Sequence, residues 1–353
     1  MPRAAPRPLT YRAAGVDRAV KNDILAGVRA RIRATFQEGA LGSGEEFGGL
    51  FHLRGYRDPV LVSSIDGVGT KTRLAALCGA LGVAGADIVS HGANDVLCQG
   101  ARALFMLDYV AASSLDPRAV TDVIAGIAGA CRSQGVTLLG GETAEMPGVY
   151  LRGELDIVGC TVGVVERDQL ITGAAIRPGD AIVGLGSDGL HTNGFSLARA
   201  ALLPRGGGPA AARRALARRP AGFTGSLGDV LLHPHRPYAR PVLALRRHVD
   251  IHGIAHVTGG GIPGNLIRIL PEDCRAVLTR GRWPVPPIFA LIQKRGRITD
   301  DEMFGTLNMG VGLLLVMPAA QAPSALAHLE RSGERAWIVG GIVAGPRGVE
   351  IRD

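Results

Sequence analysis

The chain has 353 residues and is 46% hydrophobic, which is ample for burying two cores of ordinary size, so two domains are expected. Its net charge is +8, yet the basic residues are scattered and aromatics make up only 4%, which argues against a nucleic-acid groove with stacking side chains. The five cysteines (Cys78, Cys98, Cys131, Cys160 and Cys274) contain no CxxC pair and are odd in number, which speaks against a zinc site and a disulfide framework.

The start, MPRAAPRPLTYRAAG, lacks the apolar segment of a signal peptide, and no apolar run approaches the ~20 residues that span a bilayer. A cytoplasmic protein with no membrane partner is expected. After the proline-rich tip, residues 17–37 carry apolar positions at helical spacing, and the glycine-rich turn GALGSGEEFGGLF follows. PVLVSSID (59–66) has the look of a buried strand, TRLAALCGAL (72–81) of a helix, and DIVSHGANDVLCQGA (87–101) of another. Then come strand ALFMLDYVA (103–111), helix PRAVTDVIAGIAGACRSQG (117–135), strand TLLGG (137–141), a loop ETAEMPGVY (142–150) and strand LDIVGCTVGVVE (155–166). Strands that both alternate with helices and follow one another directly favour a mixed α+β layer over a strictly doubly wound sheet.

Turn-rich DQLITGAAIRPGD (168–180) separates an N-terminal domain, 1–170, from a C-terminal domain, 171–353. The second half restarts with strand AIVGLGSDG (181–189) and helix NGFSLARAALL (193–203). The biased, basic stretch PRGGGPAAARRALARRPAG (204–222) is expected to be a surface insertion. IAHVTGGGIPGNLIRIL (254–270) supplies a glycine-rich turn opening a helix, and MGVGLLLVM (309–317) a late strand.

Two glycine motifs resemble nucleotide loops. SIDGVGTKT (64–72) follows a strand and precedes a helix, but Thr70 stands directly before Lys71 where a P-loop needs glycine. Gly184, Gly186 and Gly189 fit GxGxxG, but the acid expected about 20 residues later is replaced by the basic insertion, so no dinucleotide site is expected.

The acids of the first half are more telling. Asp66 ends a strand, Asp95 follows Asn94 inside an apolar segment, and Glu142 follows Gly140 and Gly141 at another strand end. Each alone could cap a helix or hold a turn. Three of them together with Lys71 point to a magnesium–nucleotide site, because magnesium takes hard oxygen ligands and bridges carboxylates to phosphates. His191, in GLHTNGFS, and His256, in AHVTGGG, stand beside glycine-rich runs whose backbone N–H groups could hold a phosphate. The remaining histidines, His91 and His235 among them, are assigned structural roles.

YRAAGVD (11–17), VSSIDGVGTK, the Asn94-Asp95 pair, LFMLDY (104–109), GGETAEMPG (140–148), SDGLHTNGFSL, AHVTGGG and NMGVG (308–312) occur in the order found in the phosphoribosylformylglycinamidine cyclo-ligases, and the chain resembles that family from about residue 11 to about residue 345. The resemblance implies a two-domain α+β fold whose N-terminal mixed sheet closes a barrel across a homodimer and whose C-terminal domain is an α/β sandwich. It implies ATP and Mg2+ as cofactors, formylglycinamidine ribonucleotide as substrate, and closure of the imidazole ring in purine biosynthesis as the reaction. By the same resemblance, Asp66, Asp95 and Glu142 would hold magnesium, and Gly67, Gly69, Thr70, Lys71, Asn94 and Gly141 would line the nucleotide site. Ser63, His191, Thr192, Asn193, Gly194, Gly259, Gly260 and Gly261 would face the ribonucleotide, with His191, His256 and Lys71 acting in catalysis. Where this chain has Ile65, members of the family commonly have threonine.

Overall fold

The computed structural model describes residues 9–42 and 46–353; the proline-rich tip and the centre of the glycine-rich turn, with Glu45, lie outside them. Helix α1 (Arg18–Arg33) starts at Asp17, whose carboxylate accepts from the Ala19 N–H and so satisfies one of the orphan donors of the first turn. A two-residue ladder of β1 (Ala40–Leu41) and β2 (Leu50–Phe51) follows. Next come β3 (Pro59–Gly67), α2 (Lys71–Cys78), α3 (Leu81–Leu97), β4 (Arg102–Ala112), α4 (Pro117–Gln134), β5 (Thr137–Glu145) and β6 (Leu155–Glu166).

These four long strands form a sheet ordered β3-β6-β4-β5, in which only β4 and β5 run parallel because α4 crosses between them. The expected loop ETAEMPGVY begins as strand, since Glu142–Glu145 complete the ladder against Tyr109–Ala112. Along β3 the side chains alternate: Leu61, Ser63 and Ile65 are exposed while Val60 and Val62 pack inward. That alternation leaves Leu61 and Ile65, 61% and 71% exposed, on a face that the helices do not cover.

Helix α3 is buried along almost its whole length. Gly92 makes this possible: a Cβ there would collide with the Thr161 hydroxyl of β6, so only glycine lets helix and sheet approach so closely. A helix hydrophobic on most sides is at home in such a core. It nevertheless carries Asp87, His91, Asn94 and Asp95, whose spacings of four, three and one place them along one stripe.

The second half contains β7 (Asp180–Gly186), α5 (Phe195–Leu202), α6 (Gly208–Leu216), α7 (Leu227–Leu231), α8 (Ala239–Leu245), β8 (Gly253–His256), α9 (Gly261–Leu266), β9 (Cys274–Thr279), α10 (Pro287–Gly296), α11 (Asp300–Thr306), β10 (Val311–Pro318), α12 (Ala322–Arg331), β11 (Ala336–Ala344) and β12 (Gly348–Arg352). Its six strands are ordered β12-β9-β11-β7-β10-β8, all antiparallel except β12 on β9. Central β7 and β10 are buried on both faces. Val183, Leu185, Leu313 and Leu315 pack with α8 and α12, while Ile182, Leu314 and Val316 pack with Ile262 and Leu266 of α9. Such two-sided burial explains why these strands are continuous apolar runs rather than alternating ones. The basic insertion supplies α6.

Candidate active site

The α3 stripe is where the two sheets meet. Asn94 donates from Nδ2 to the Arg236 carbonyl (2.9 Å) and accepts at Oδ1 from the Tyr238 N–H (2.9 Å). Two turns earlier, Asp87 accepts from the His235 N–H (2.7 Å). Polar atoms inside an apolar core are costly unless paired, and here each finds a backbone partner from the other half of the chain. Segment 235–238 is thereby clasped onto α3.

Four histidines gather beside that clasp. His235 Nε2 lies 3.0 Å from His256 Nε2 and 3.2 Å from Asn94 Nδ2, and its Nδ1 lies 3.3 Å from the Thr192 hydroxyl. The same hydroxyl is 2.8 Å from His91 Nδ1. His191 stacks on His235, with ring centroids 4.1 Å apart. Its backbone is held at φ 60°, and both its ring nitrogens are buried without a hydrogen-bond partner. Gly312 of β10 makes room for that ring, since a Cβ there would strike both His191 and the Tyr238 hydroxyl. Desolvation holds His191 and His235 well below the usual histidine range and His256 below it, which favours the neutral form of each ring.

The acids border this cluster. His256 Nδ1 is 2.7 Å from Asp95 Oδ1, and the Ser64 hydroxyl donates to Asp95 Oδ2 at 2.7 Å. Burial alone would raise the Asp95 carboxyl, but these bonds and the neighbouring His91 outweigh it and leave it lowered. Asp66 Oδ1 accepts from the Gly67 N–H, and its Oδ2 lies 2.9 Å from His91 Nε2. That His91 contact is the main reason the Asp66 carboxyl is lowered too. His91 also approaches Asp95 Oδ2 at 3.6 Å, and although burial works against its charge, the two acids raise its pKa.

Asp66, Asp95 and His256 open on a groove of about 430 Å3 between the two sheets. Ser63 and Ile65 of β3 line one side, Thr258, Asn265 and Arg268 another. Arg268 makes no hydrogen bond or ion pair among the described residues, so it is the cation the groove offers to an anionic ligand. Two ionised carboxylates on one groove are the hard oxygen donors magnesium takes when it bridges protein to phosphate, so this part of the expected set fits the metal.

Other expectations are corrected. Lys71 does not face the groove: its side chain has no solvent exposure, its ammonium lies 2.6 Å from Asp87 Oδ2, and it donates to the His233 carbonyl at 2.8 Å. Burial lowers the Lys71 pKa and raises that of Asp87, and each charge partly offsets the shift of the other. The spacing in SIDGVGTKT positions the lysine at the first residue of α2, pointing into the core, where it braces the clasp through Asp87. Glu142 also stands apart from Asp66 within one chain. Asp66, Gly159, Asp108 and Gly141 form one row across the sheet, so Glu142 stands three strands, or about 14 Å at ~4.8 Å per strand, from Asp66 and cannot share an ion with it inside one chain. It pairs instead with Lys21 of α1 at 2.5 Å.

The remaining residues fall around these anchors. Gly69 turns the loop at φ 66°, and the Thr70 hydroxyl lies 3.1 Å from that of Ser196, tying the start of α2 to the start of α5. Gly194 caps α5 at φ 75°, and Asn193 Oδ1 would be 3.4 Å from a Cβ on Gly259, so the two glycine-rich loops adjoin. Thr258 and Asn265 line the groove whereas Gly259, Gly260 and Gly261 do not, their carbonyls at 259 and 261 being tied to Asn265 Nδ2. His91 and His235 escaped sequence reasoning. For His91 a signal existed, since it stands three and four residues before Asn94 and Asp95; for His235, in HPHRP, there was none.

Comparison with known proteins agrees along the chain. The AIR synthase related protein family matches through its N-terminal domain over residues 52–165 and its C-terminal domain over 177–353. The phosphoribosylformylglycinamidine cyclo-ligase of Symbiobacterium thermophilum is 46% identical over 98% of this chain and 99% of its own length, and that of Myxococcus xanthus is 46% identical over 95% and 96%. Among solved structures, hydrogenase maturation protein HypE in complex with ATP shares the fold (TM-score 0.65, 19% identity, 94% of this chain and 90% of that one). Thiamine-monophosphate kinase from Stenotrophomonas maltophilia does as well (TM-score 0.63, 19% identity, 92% and 95%). The histidine-and-carboxylate groove thus sits in a two-domain scaffold matched end to end by close relatives, and the chain belongs to the phosphoribosylformylglycinamidine cyclo-ligase family.

Proposed function

We propose that this protein uses ATP to convert formylglycinamidine ribonucleotide into 5-aminoimidazole ribonucleotide, releasing ADP and phosphate. The observation that carries the reading is the 46% identity over 98% of the chain to a cyclo-ligase. The chemistry suits the site. An amide oxygen leaves poorly, so phosphorylating it gives an iminophosphate that the substrate's own amidine nitrogen attacks, expelling phosphate. No covalent nucleophile is required, and the protein's contribution is positioning and charge neutralisation.

In this reading Asp66 and Asp95 hold Mg2+, which neutralises phosphate charge, and Arg268 meets the anionic ligand. His256, held by Asp95 and biased by burial toward its neutral form, is placed to accept a proton as the ring closes, with His235, itself beside the Thr192 hydroxyl, fixing its ring. His191, Asn193 and Gly194 stand at the adjoining loop on the ribonucleotide side. Lys71 acts through Asp87 and the clasp rather than on phosphate. Glu142 and Gly141 join a metal or nucleotide site only if a second copy brings them to it. The uncovered apolar face bearing Leu61 and Ile65 supports a homodimer closed through the N-terminal sheet, with domains meeting near residue 170. No helix among the described residues is long and apolar enough to cross a membrane, which agrees with a cytoplasmic location.

The test is a ring-closure assay with purified protein. Product should form only with ATP and Mg2+ present. Phosphorylation of thiamine phosphate without any ring closure would overturn the assignment.

A further inference from the structure

A second groove, of about 690 Å3, shares no lining residue with the first. Five arginines converge on it from separate segments: Arg73 of α2, Arg152 of the loop before β6, Arg199 of α5, Arg205 of the insertion and Arg213 of α6. The one acid there, Glu154, pairs with Arg73 at 3.0 Å. The side chains of Arg152, Arg199, Arg205 and Arg213 make no hydrogen bond or ion pair among the described residues. Burial and the neighbouring Arg73 depress the Arg199 guanidinium, with Glu154 offsetting only part of this. Five like charges against one counter-charge repel one another, and nothing in the fold requires them to share a concavity.

We propose that this groove binds a small anion carrying two or more phosphate groups. The guanidinium is a planar fork that pairs with phosphate oxygens two bonds at a time, and four of them stand without a partner. The groove has the volume of a small-molecule site, and no aromatic side chain lines it, so the phosphates and not a stacked base are what it recognises. The absence of stacking residues and the bounded shape also favour a small molecule over a nucleic-acid strand. Occupancy draws the insertion onto α2 and α5. Those helices begin beside Gly69 and Gly194 and are joined there by the Thr70–Ser196 hydroxyl pair, so the ligand reaches the catalytic loops through two helix axes. The site does not depend on the ring-closure reading.

The test is calorimetric titration of the whole protein with tripolyphosphate, ATP and inorganic phosphate, repeated on Arg205→Gln/Arg213→Gln and on Asp95→Asn. Tripolyphosphate should bind more tightly than phosphate. The double arginine variant should weaken it by about a hundredfold, at roughly tenfold per lost charged contact, and leave turnover without added polyphosphate unchanged. Asp95→Asn should bind tripolyphosphate as the parent does. ATP binding that survives Asp95→Asn but falls in the arginine variant identifies a nucleotide as a source of the phosphates; tripolyphosphate alone doing so identifies an inorganic chain. The proposal fails if tripolyphosphate does not bind, if the arginine variant binds it undiminished, if Asp95→Asn abolishes binding, or if a short DNA duplex competes it away at equal phosphate concentration.

Discussion

Lys71 and Asp87 form an ion pair 2.6 Å long in which neither side chain is reached by solvent. Removing one member of such a pair strands the other charge in the core and costs about 3–5 kcal/mol, whereas replacing both with apolar groups is much less harmful. Lys71→Met is therefore expected to lower unfolding stability by that amount, and Lys71→Met/Asp87→Leu to recover part of it. Denaturant melts of the two variants decide the matter. A Lys71→Met protein as stable as the parent but without ATP affinity would return the lysine to the nucleotide.

Asp66 and Asp95 should carry the metal-dependent step. Asp95→Asn, and separately Asp66→Asn, is expected to cut turnover by at least roughly a hundredfold, the scale of one lost electrostatic contact in the transition state. Near-parental rates at saturating Mg2+ would remove the altered residue from the metal site.

His235 touches His191, Thr192, Asn94 and His256 at once. His235→Phe preserves the stacking area but deletes the ring's polar contacts to Thr192, Asn94 and His256, so His256 loses the group that fixes its ring. We expect a fall in kcat of roughly tenfold or more with KM little changed, since losing a positioning bond costs about 1–3 kcal/mol. A change confined to KM would instead make His235 a binding residue.

Asp108 supplies a pH signature away from the groove. Burial pushes its carboxyl up to about 7, helped by the nearby Glu142 charge. A folded-state pKa above the unfolded value means the cost is absent in acid, where the group is neutral in both states, and grows as pH rises from about 4 to its full size above about 7. Asp108→Asn should accordingly raise Tm at pH 8 and leave it unchanged at pH 4. An equal shift at both values would show that ionisation is not the cause.

Leu61 tests the uncovered sheet face. Leu61→Glu places a charge where two copies would meet, and light scattering should report monomers in place of dimers. Retention of the dimer mass would move the interface elsewhere.

The sequence exposed the site unevenly, for physical reasons. Asp66 and Asp95 were legible because a carboxylate at a strand end or inside an apolar segment is expensive and invites a reason. Strands and helices with a clear period, such as β6 and α4, were legible for the same reason that they fold. Lys71 was misread because its partner, Asp87, lies on a different helix that shows no spacing relationship to it. The separation of Glu142 from Asp66 within one chain was not legible because the sequence contains no strand order, and that distance is set by two intervening strands. His235 depends wholly on a contact formed across the two halves. The basic insertion could be seen, but not the arginines of α2 and α5 that it meets.

Asn94 and Asp95 are adjacent on α3, one holding the Arg236 and Tyr238 backbone and the other opening on the groove. A single turn of helix therefore serves as both hinge pin and working edge. Parting the two halves there would break both Asn94 bonds, one residue away from the carboxylate on which His256 rests. The contacts that join the two halves and the contact that orients His256 are thus made from neighbouring residues of one helix.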